Sequence, residues 1–398
     1  MTAALADRAA KHGRIAIDTE FVSERRYQAQ LCLIQVAVPD EQEEDARAGS
    51  RQQGTGGVRT EVLDPIADPS LDHEPLAAVL ADRSVQVVMH AGRQDVAILR
   101  RTWRTEITSV FDTQVAAGFL GFGNQEGYEQ LVRRVLGVEL KGGEGFTRWD
   151  KRPLTEKQLS YAADDARCLL ALGAALEAQL EERGRLEWAR EESALLEGSD
   201  DVRSVERAYE RLPKLGRLDA RGRAVAHRLT EWREGIARGL DRPPPSVLPD
   251  QVLVELARRA PRDRAGLDNI RGLPQQTQHR RGAELVEQIA RAREKEPPPP
   301  PPPAPKRDSS EAPLVSLAQA VVRHRSKDSG VAGELIATQA ELTALVAAVR
   351  RGQDGDGVRA LSGWRRELVG QELCDLIEGR RQVAVSADGA LEIEPRGS

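Results

Sequence analysis

Four carboxylates and one phenol, spread between Asp18 and Asp165, are the residues of this chain whose types and spacing suit chemistry together. Asp18 and Glu20 stand two apart at the end of the apolar run Arg14-Ile-Ala-Ile-Asp-Thr-Glu-Phe21. Such a run reads as a short buried strand, and side chains two apart on a strand share a face. Two carboxylates held side by side raise one another's pKa unless a cation lies between them, so the pair is a candidate divalent-metal site. Alone it is a weak signal, because a solvated strand end accounts for most Asp-x-Glu sequences. Asp95, five residues after His90 and just inside a helix that follows a strand, offers a third ligand, and Asp165 offers a fourth. Taken singly, Asp95 would complement a helix dipole and Asp165 would be a surface residue with Asp164 as its rival. Helical phase separates the rivals: Asp165 shares a face with Tyr161, Cys168 and Leu169, whereas Asp164 is turned about 100° away. Together the four carboxylates can hold two Mg²⁺ or Mn²⁺ ions about 4 Å apart, an arrangement that clamps the attacking and leaving oxygens in phosphodiester hydrolysis.

The elements that must position these groups alternate. Residues 14–39 read as two strands joined by a polar turn, the second at 31–38. Residues 40–60 are acidic and then glycine-rich, an exposed, mobile hairpin tip. A third strand is expected at 61–64, a helix at 73–81, a strand at 84–89 ending at His90-Ala-Gly, and a helix from Arg93. A strand at 107–111 runs into Asp112, a helix N-cap. A helix at 127–136 and an irregular glycine-rich segment at 141–150 lead to one long helix from Thr155 to Arg183. Strands alternating with helices indicate an α/β domain.

Length and composition bound the rest. A chain of 398 residues exceeds one ordinary core and suggests two or three domains at about 150 residues each. With 40% hydrophobic but only 4% aromatic residues, the cores should be aliphatic and the protein soluble and largely helical. No apolar stretch resembles a signal peptide or a membrane span, so a cytoplasmic protein is expected. Cys32, Cys168 and Cys374 lie far apart and read as core residues. Net charge is −5, but it divides by region: Lys plus Arg against Asp plus Glu is 24 to 33 for residues 1–198 and 21 to 15 for 201–296. An acidic first part suited to metals is followed by a basic part suited to phosphates. The expected domains are 1–198, 199–296, a polyproline spacer at 297–311, a helical region at 312–383 and a frayed tail at 384–398. The two helical regions read as weak repeats of one module.

Ile17-Asp-Thr-Glu-Phe21, His90-Ala-Gly-Arg-Gln-Asp95 and Tyr161-Ala-Ala-Asp-Asp165 resemble, in order, the three exonuclease motifs of the ribonuclease D family. Phe111-Asp-Thr-Gln114 and Arg152-Pro-Leu-Thr155 also fall where that family has similar text, and 201–296 and 312–380 resemble its helical HRDC modules. The resemblance implies an RNase H-like α/β exonuclease domain followed by two small all-α HRDC-like bundles. It further implies two-metal 3′–5′ exoribonuclease activity on RNA with a free 3′ end, such as tRNA precursors, releasing nucleoside 5′-monophosphates. Asp18, Glu20, Asp95 and Asp165 would be the ligands, and Tyr161 would position the attacking water. With a pKa near ~10, a phenol suits orienting water better than deprotonating it. His90 reads as a structural hydrogen-bonding residue, and Trp149, Trp232 and Trp364 as core, although Trp149 in its glycine-rich loop offers a face on which a base can stack. A monomer is the favoured assembly. The sequence departs from the family in the 40–60 insert and in Arg148, where an acidic residue is common; both bear on RNA approach. The rival readings are a DNA exonuclease of proofreading type and an inactive RNA-binding scaffold.

Overall fold

The computed structural model describes residues 1–40, 57–140, 147–294, 296–300, 310–353, 355, 357–387 and 389–397. The first part runs α1 (Thr2–His12), β1 (Arg14–Val22), β2 (Gln30–Pro39), β3 (Val58–Leu63), α2 (Glu74–Ala81), β4 (Gln86–Met89), α3 (Arg93–Trp103) and β5 (Val110–Asp112). Five helices follow: α4 (Thr113–Leu120), α5 (Tyr128–Leu136), α6 (Glu156–Arg167), α7 (Leu169–Glu182) and α8 (Leu186–Ala194).

The five strands make one sheet in the order β3-β2-β1-β4-β5, antiparallel on the β2 side of β1 and parallel on the β4 side. Helices cover both faces, which is why β2 is buried along nearly its whole length and reads as a continuous apolar run. Ile15 and Ile17 pack with Leu5, Leu76 and Leu99 on one face. Ala16 and Val88 pack against Leu169, Leu172 and Leu176 of α7 on the other. A Cβ on Gly173 would stand 3.0 Å from Val88 Cγ1, so the glycine lets α7 lie close on the centre of the sheet.

Several expectations shift. The single helix read over 155–183 is two helices meeting at Cys168, the first amphipathic beside the cleft described below and the second burying Leu169, Leu172, Leu176 and Leu180. One axis does not serve both duties. The tip read at 40–60 lies outside the described residues except at its ends, as do 141–146 of the glycine-rich segment and much of the proline spacer. Trp149, Trp232 and Trp364 are all buried; Trp149 therefore offers no free face for a base. The cysteines are free, Cys32 and Cys168 buried, as core residues should be.

The second part is helical: α9 (Val205–Glu210), α10 (Ala220–Gly239), α11 (Asp250–Arg259) and α12 (Gln275–Ala292), with short turns at Pro244–Val247 and Arg264–Leu267. Its core of Leu229, Leu253, Leu256, Leu285 and Ile289 also takes in Tyr27 from the turn between β1 and β2. The third part repeats that order with α13 (Ala312–Ser329), a turn at Gly333–Ile336, α14 (Gln339–Arg350), a turn at Arg359–Leu361 and α15 (Gln371–Ile377). It shares one apolar core with α4, α7 and α8 of the first part. Trp364 stacks on Trp188 at 5.5 Å, and Arg365 and Arg359 both pair with the buried Glu192. Where a frayed tail was expected from 384, β6 (Arg381–Val385) and β7 (Leu391–Pro395) form an antiparallel hairpin. Their alternating short apolar and polar residues satisfy each other's backbone, so little buried core is needed.

Candidate active site

Strand parity puts Asp18 and Glu20 on the same face of β1 as Ala16, beneath α6 and α7. The strand bulges immediately after Glu20, where pairing with β2 shifts register, so the two carboxylates lie at the last regular turn of the pleat. Thr19 points to the opposite face, and its hydroxyl donates to Asp95 Oδ1 at 2.5 Å. That contact ties the first turn of α3 to the end of β1. Asp165 comes in from α6, one turn after Tyr161, whose ring stacks on buried Trp149 at 6.2 Å. The structure thus brings Asp18, Glu20, Asp95, Asp165 and Tyr161 to one place.

Electrostatics show how closely they interact. Burial, then the charges of Asp95, Asp165 and Glu20, hold the Asp18 carboxyl well above the usual range. Burial with Asp165 and Asp95 pushes Glu20 up to about 8. Asp165 rises to about 7, through burial and the facing charge of Glu129, with the Tyr161 hydroxyl pulling the other way. Burial raises Asp95 to about 6 against the hydrogen bond from Thr19. The Tyr161 phenol is raised by burial and by the surrounding carboxylates, first Asp165, which keeps it protonated and able to donate. Among the described residues none of the four carboxylates has a Lys, Arg or His ion-pair partner. Among those residues no three acidic, His or Cys groups close a cation cage by themselves. Like charges with shared burial and no protein cation suit a divalent ion as counter-charge.

Asp112, read from its place before α4 as an N-cap, does more than cap that helix. Its carboxylate, 1% exposed, accepts from Gln114 N at 2.8 Å and Val115 N at 3.1 Å, as a cap should. It also accepts from Ala91 N at 3.2 Å and Gly92 N at 2.8 Å, holding the turn that opens α3 and carries Asp95. Ala91 has a φ of 54°, a left-handed conformation that costs a non-glycine residue about 1 kcal/mol or more. Asp112 offsets that cost. His90 is structural as read: its Nδ1 lies 2.9 Å from Thr113 Oγ1, and burial lowers its pKa. Arg148 is held by Asp150 at 2.9 Å through both carboxylate oxygens, so the departure from the family pattern is neutralised locally. Glu129 of α5 has no mark of its place in the sequence: Leu131 and Val132 show which face of that helix is buried, but not which element its polar face meets.

The chain matches known proteins along nearly its whole length. The model of the 3′–5′ exonuclease family matches residues 2–181, and that of the HRDC domain matches 222–289. Ribonuclease D of Jannaschia sp. (strain CCS1) is 36% identical over 97% of this chain and 95% of its own. The chain belongs to the ribonuclease D family. Ribonuclease D of Acidiphilium cryptum is 34% identical over 97% of this chain and 93% of its own. The crystal structure of Escherichia coli RNase D, an exoribonuclease involved in structured RNA processing, superposes with a TM-score of 0.78 at 27% identity, covering 96% of this chain and 97% of that one. A protein from Bifidobacterium adolescentis, 22% identical with a TM-score of 0.69 over 95% of each chain, shares the fold. The fold is therefore a ribonuclease D-like exonuclease domain with an HRDC domain and a helical C-terminal region. The enzyme is a hydrolytic 3′–5′ exoribonuclease, of a family that depends on divalent metal. No described helix is long and apolar enough to cross a membrane.

Proposed function

We propose that Asp18, Glu20, Asp95 and Asp165 together hold two divalent cations, Mg²⁺ or Mn²⁺, and that Tyr161 orients the water that attacks the last phosphodiester of an RNA. The observation that carries this reading is the convergence of four mutually repelling, protein-uncompensated carboxylates. Bound cations would supply charge stabilisation to the attacking and leaving oxygens. The residues of the chain do the rest. Thr19 and Asp112 fix Asp95, Trp149 backs the Tyr161 ring, and the Tyr161 hydroxyl, kept protonated, holds water in line. The water oxygen bonds to phosphorus, the bond from phosphorus to the upstream O3′ breaks, a proton from the water ends on that O3′, and the terminal residue leaves as a nucleoside 5′-monophosphate.

The substrates are RNAs with free 3′ ends, tRNA precursors among them, in the cytoplasm, and the working form is a monomer. The basic 201–296 region, containing the HRDC domain, grips the RNA body by charge while the acidic part cuts its end. The third part is a second, divergent HRDC-like copy; the repeated order of long helix, turn, helix, turn, helix supports this. Substituting each of the four acids by its amide should lower kcat on a 3′-extended tRNA by at least about 10²-fold with RNA affinity kept. Tyr161→Phe should lower kcat by about 10²-fold while calorimetric cation binding persists. Near-normal turnover in two of the four amide variants would overturn the cation site.

A further inference from the structure

Tyr161 and Asp165 open on a cleft of about 610 Å³, within the about 300–1,000 Å³ that small-ligand sites occupy. Its walls are built alike. On one side α6 presents Tyr161 and Asp165, four residues apart; on the other α5 presents Glu129 and Arg133, also four apart. Glu129 is exposed, and among the described residues no ion pair neutralises it or Arg133. Among the described residues the Arg133 guanidinium hydrogen-bonds the neutral side chain of Gln130.

The polymer that must enter this cleft is a polyanion, and a free carboxylate on the wall repels its phosphates. Outside the four acids proposed to hold cations, such a group contributes to binding where it meets a donor. Nucleic acid offers two kinds: N–H groups on base edges and hydroxyls on the sugar. An exonuclease that removes one nucleotide after another meets every base in turn, so a contact to a base amine would favour some ends and stall at others. The hydroxyls recur on every nucleotide of RNA. A first-turn glutamate also complements a helix N-terminus, but that role ignores which polymer is bound.

We infer that Glu129 accepts a hydrogen bond from the ribose 2′-hydroxyl of the nucleotide held between α5 and α6, and thereby sets the preference for RNA over DNA. Arg133, one turn further along the same wall, is the complementary cation for an adjacent phosphate. The inference rests on Asp165 and Tyr161 marking the reaction centre. It gives the 2′-hydroxyl a partner on an element that supplies no ligand to the cation site.

Glu129→Ala and Glu129→Gln are compared with the unsubstituted chain on length-matched RNA, DNA and RNA ending in a single 2′-deoxynucleotide. Two readouts are used: the ratio of kcat/KM values, and the ratio of affinities by fluorescence anisotropy in EDTA, where nothing is cut. The RNA-to-DNA preference should fall about 10-fold in Glu129→Ala, less in Glu129→Gln, and the 2′-deoxy end should cost the unsubstituted chain the same factor. Unchanged ratios in both variants would overturn the inference and leave Glu129 a helix-end charge. Equal losses on RNA and DNA would also overturn it, placing Glu129 among the reacting groups. Asp165→Asn acts on both polymers alike, so failure of the reaction centre and failure of the sugar contact read differently.

Discussion

Divalent cation binding should expel protons, and the number follows from the site. A ligand carboxylate must be ionised, yet the cation-free chain holds several of these acids protonated at neutral pH. With Glu20 at about 8, Asp165 at about 7 and Asp95 at about 6, their protonated fractions at pH 7 are about nine-tenths, one-half and one-tenth, or about 1.5 protons together. Asp18, raised as well by burial and by its three acidic neighbours, adds to that figure. Titration calorimetry with Mn²⁺ at pH 7, in two buffers of different ionisation enthalpy, should therefore show at least about 1.5 protons released on saturation, and more than about one fewer at pH 9. The sign for stability is the same. A carboxyl whose folded pKa is raised stabilises the fold fully below its unfolded value near ~4, and that contribution is lost as pH rises through the folded values. The Tm of the cation-free chain should fall between pH 5 and about 8, and Mn²⁺ should restore it most at the alkaline end. Release of less than about half a proton at pH 7, or equal release at pH 7 and 9, would refute the reasoning.

Asp112→Asn should cost about 1–3 kcal/mol in urea unfolding by loosening both helix starts, and should weaken Mn²⁺ binding through Asp95; unchanged cation affinity would show that the α3 turn holds without it. Tyr27→Ala removes a side chain 4% exposed that sits in the core of the second part; KM on tRNA-length RNA should rise while kcat on a dinucleotide stays, and parallel changes on both would show that Tyr27 acts on the reaction centre instead. Glu192→Ala leaves Arg365, 3% exposed, with a buried unpaired charge and should destabilise by about 3–5 kcal/mol in urea unfolding; a loss under about 1 kcal/mol would mean that water reaches the pair.

Local pattern carried much of this enzyme. The two-residue spacing of Asp18 and Glu20 fixed their common face once the run 14–21 was a strand, because strand parity is a property of the backbone alone. Helical phase likewise set Asp165, and not Asp164, beside Tyr161. The alternation of strands and helices, and the basic excess of 201–296, were equally visible without coordinates. What no local pattern contains is which distant elements meet. Thr19, on the far face of its strand, became a clamp on Asp95 only because α3 packs there. Asp112 looked like an ordinary cap, and its two further bonds exist because parallel pairing of β4 with β5 brings the turn at Ala91 to its side. Glu192 and Arg365, 173 positions apart in sequence, are neutral to any periodicity argument until α8 and the third part share a core. Glu129 faces Asp165 across a cleft whose walls belong to different helices. Periodicity records how a segment relates to its own axis, whereas the contacts between axes are chosen by the summed burial of the whole chain.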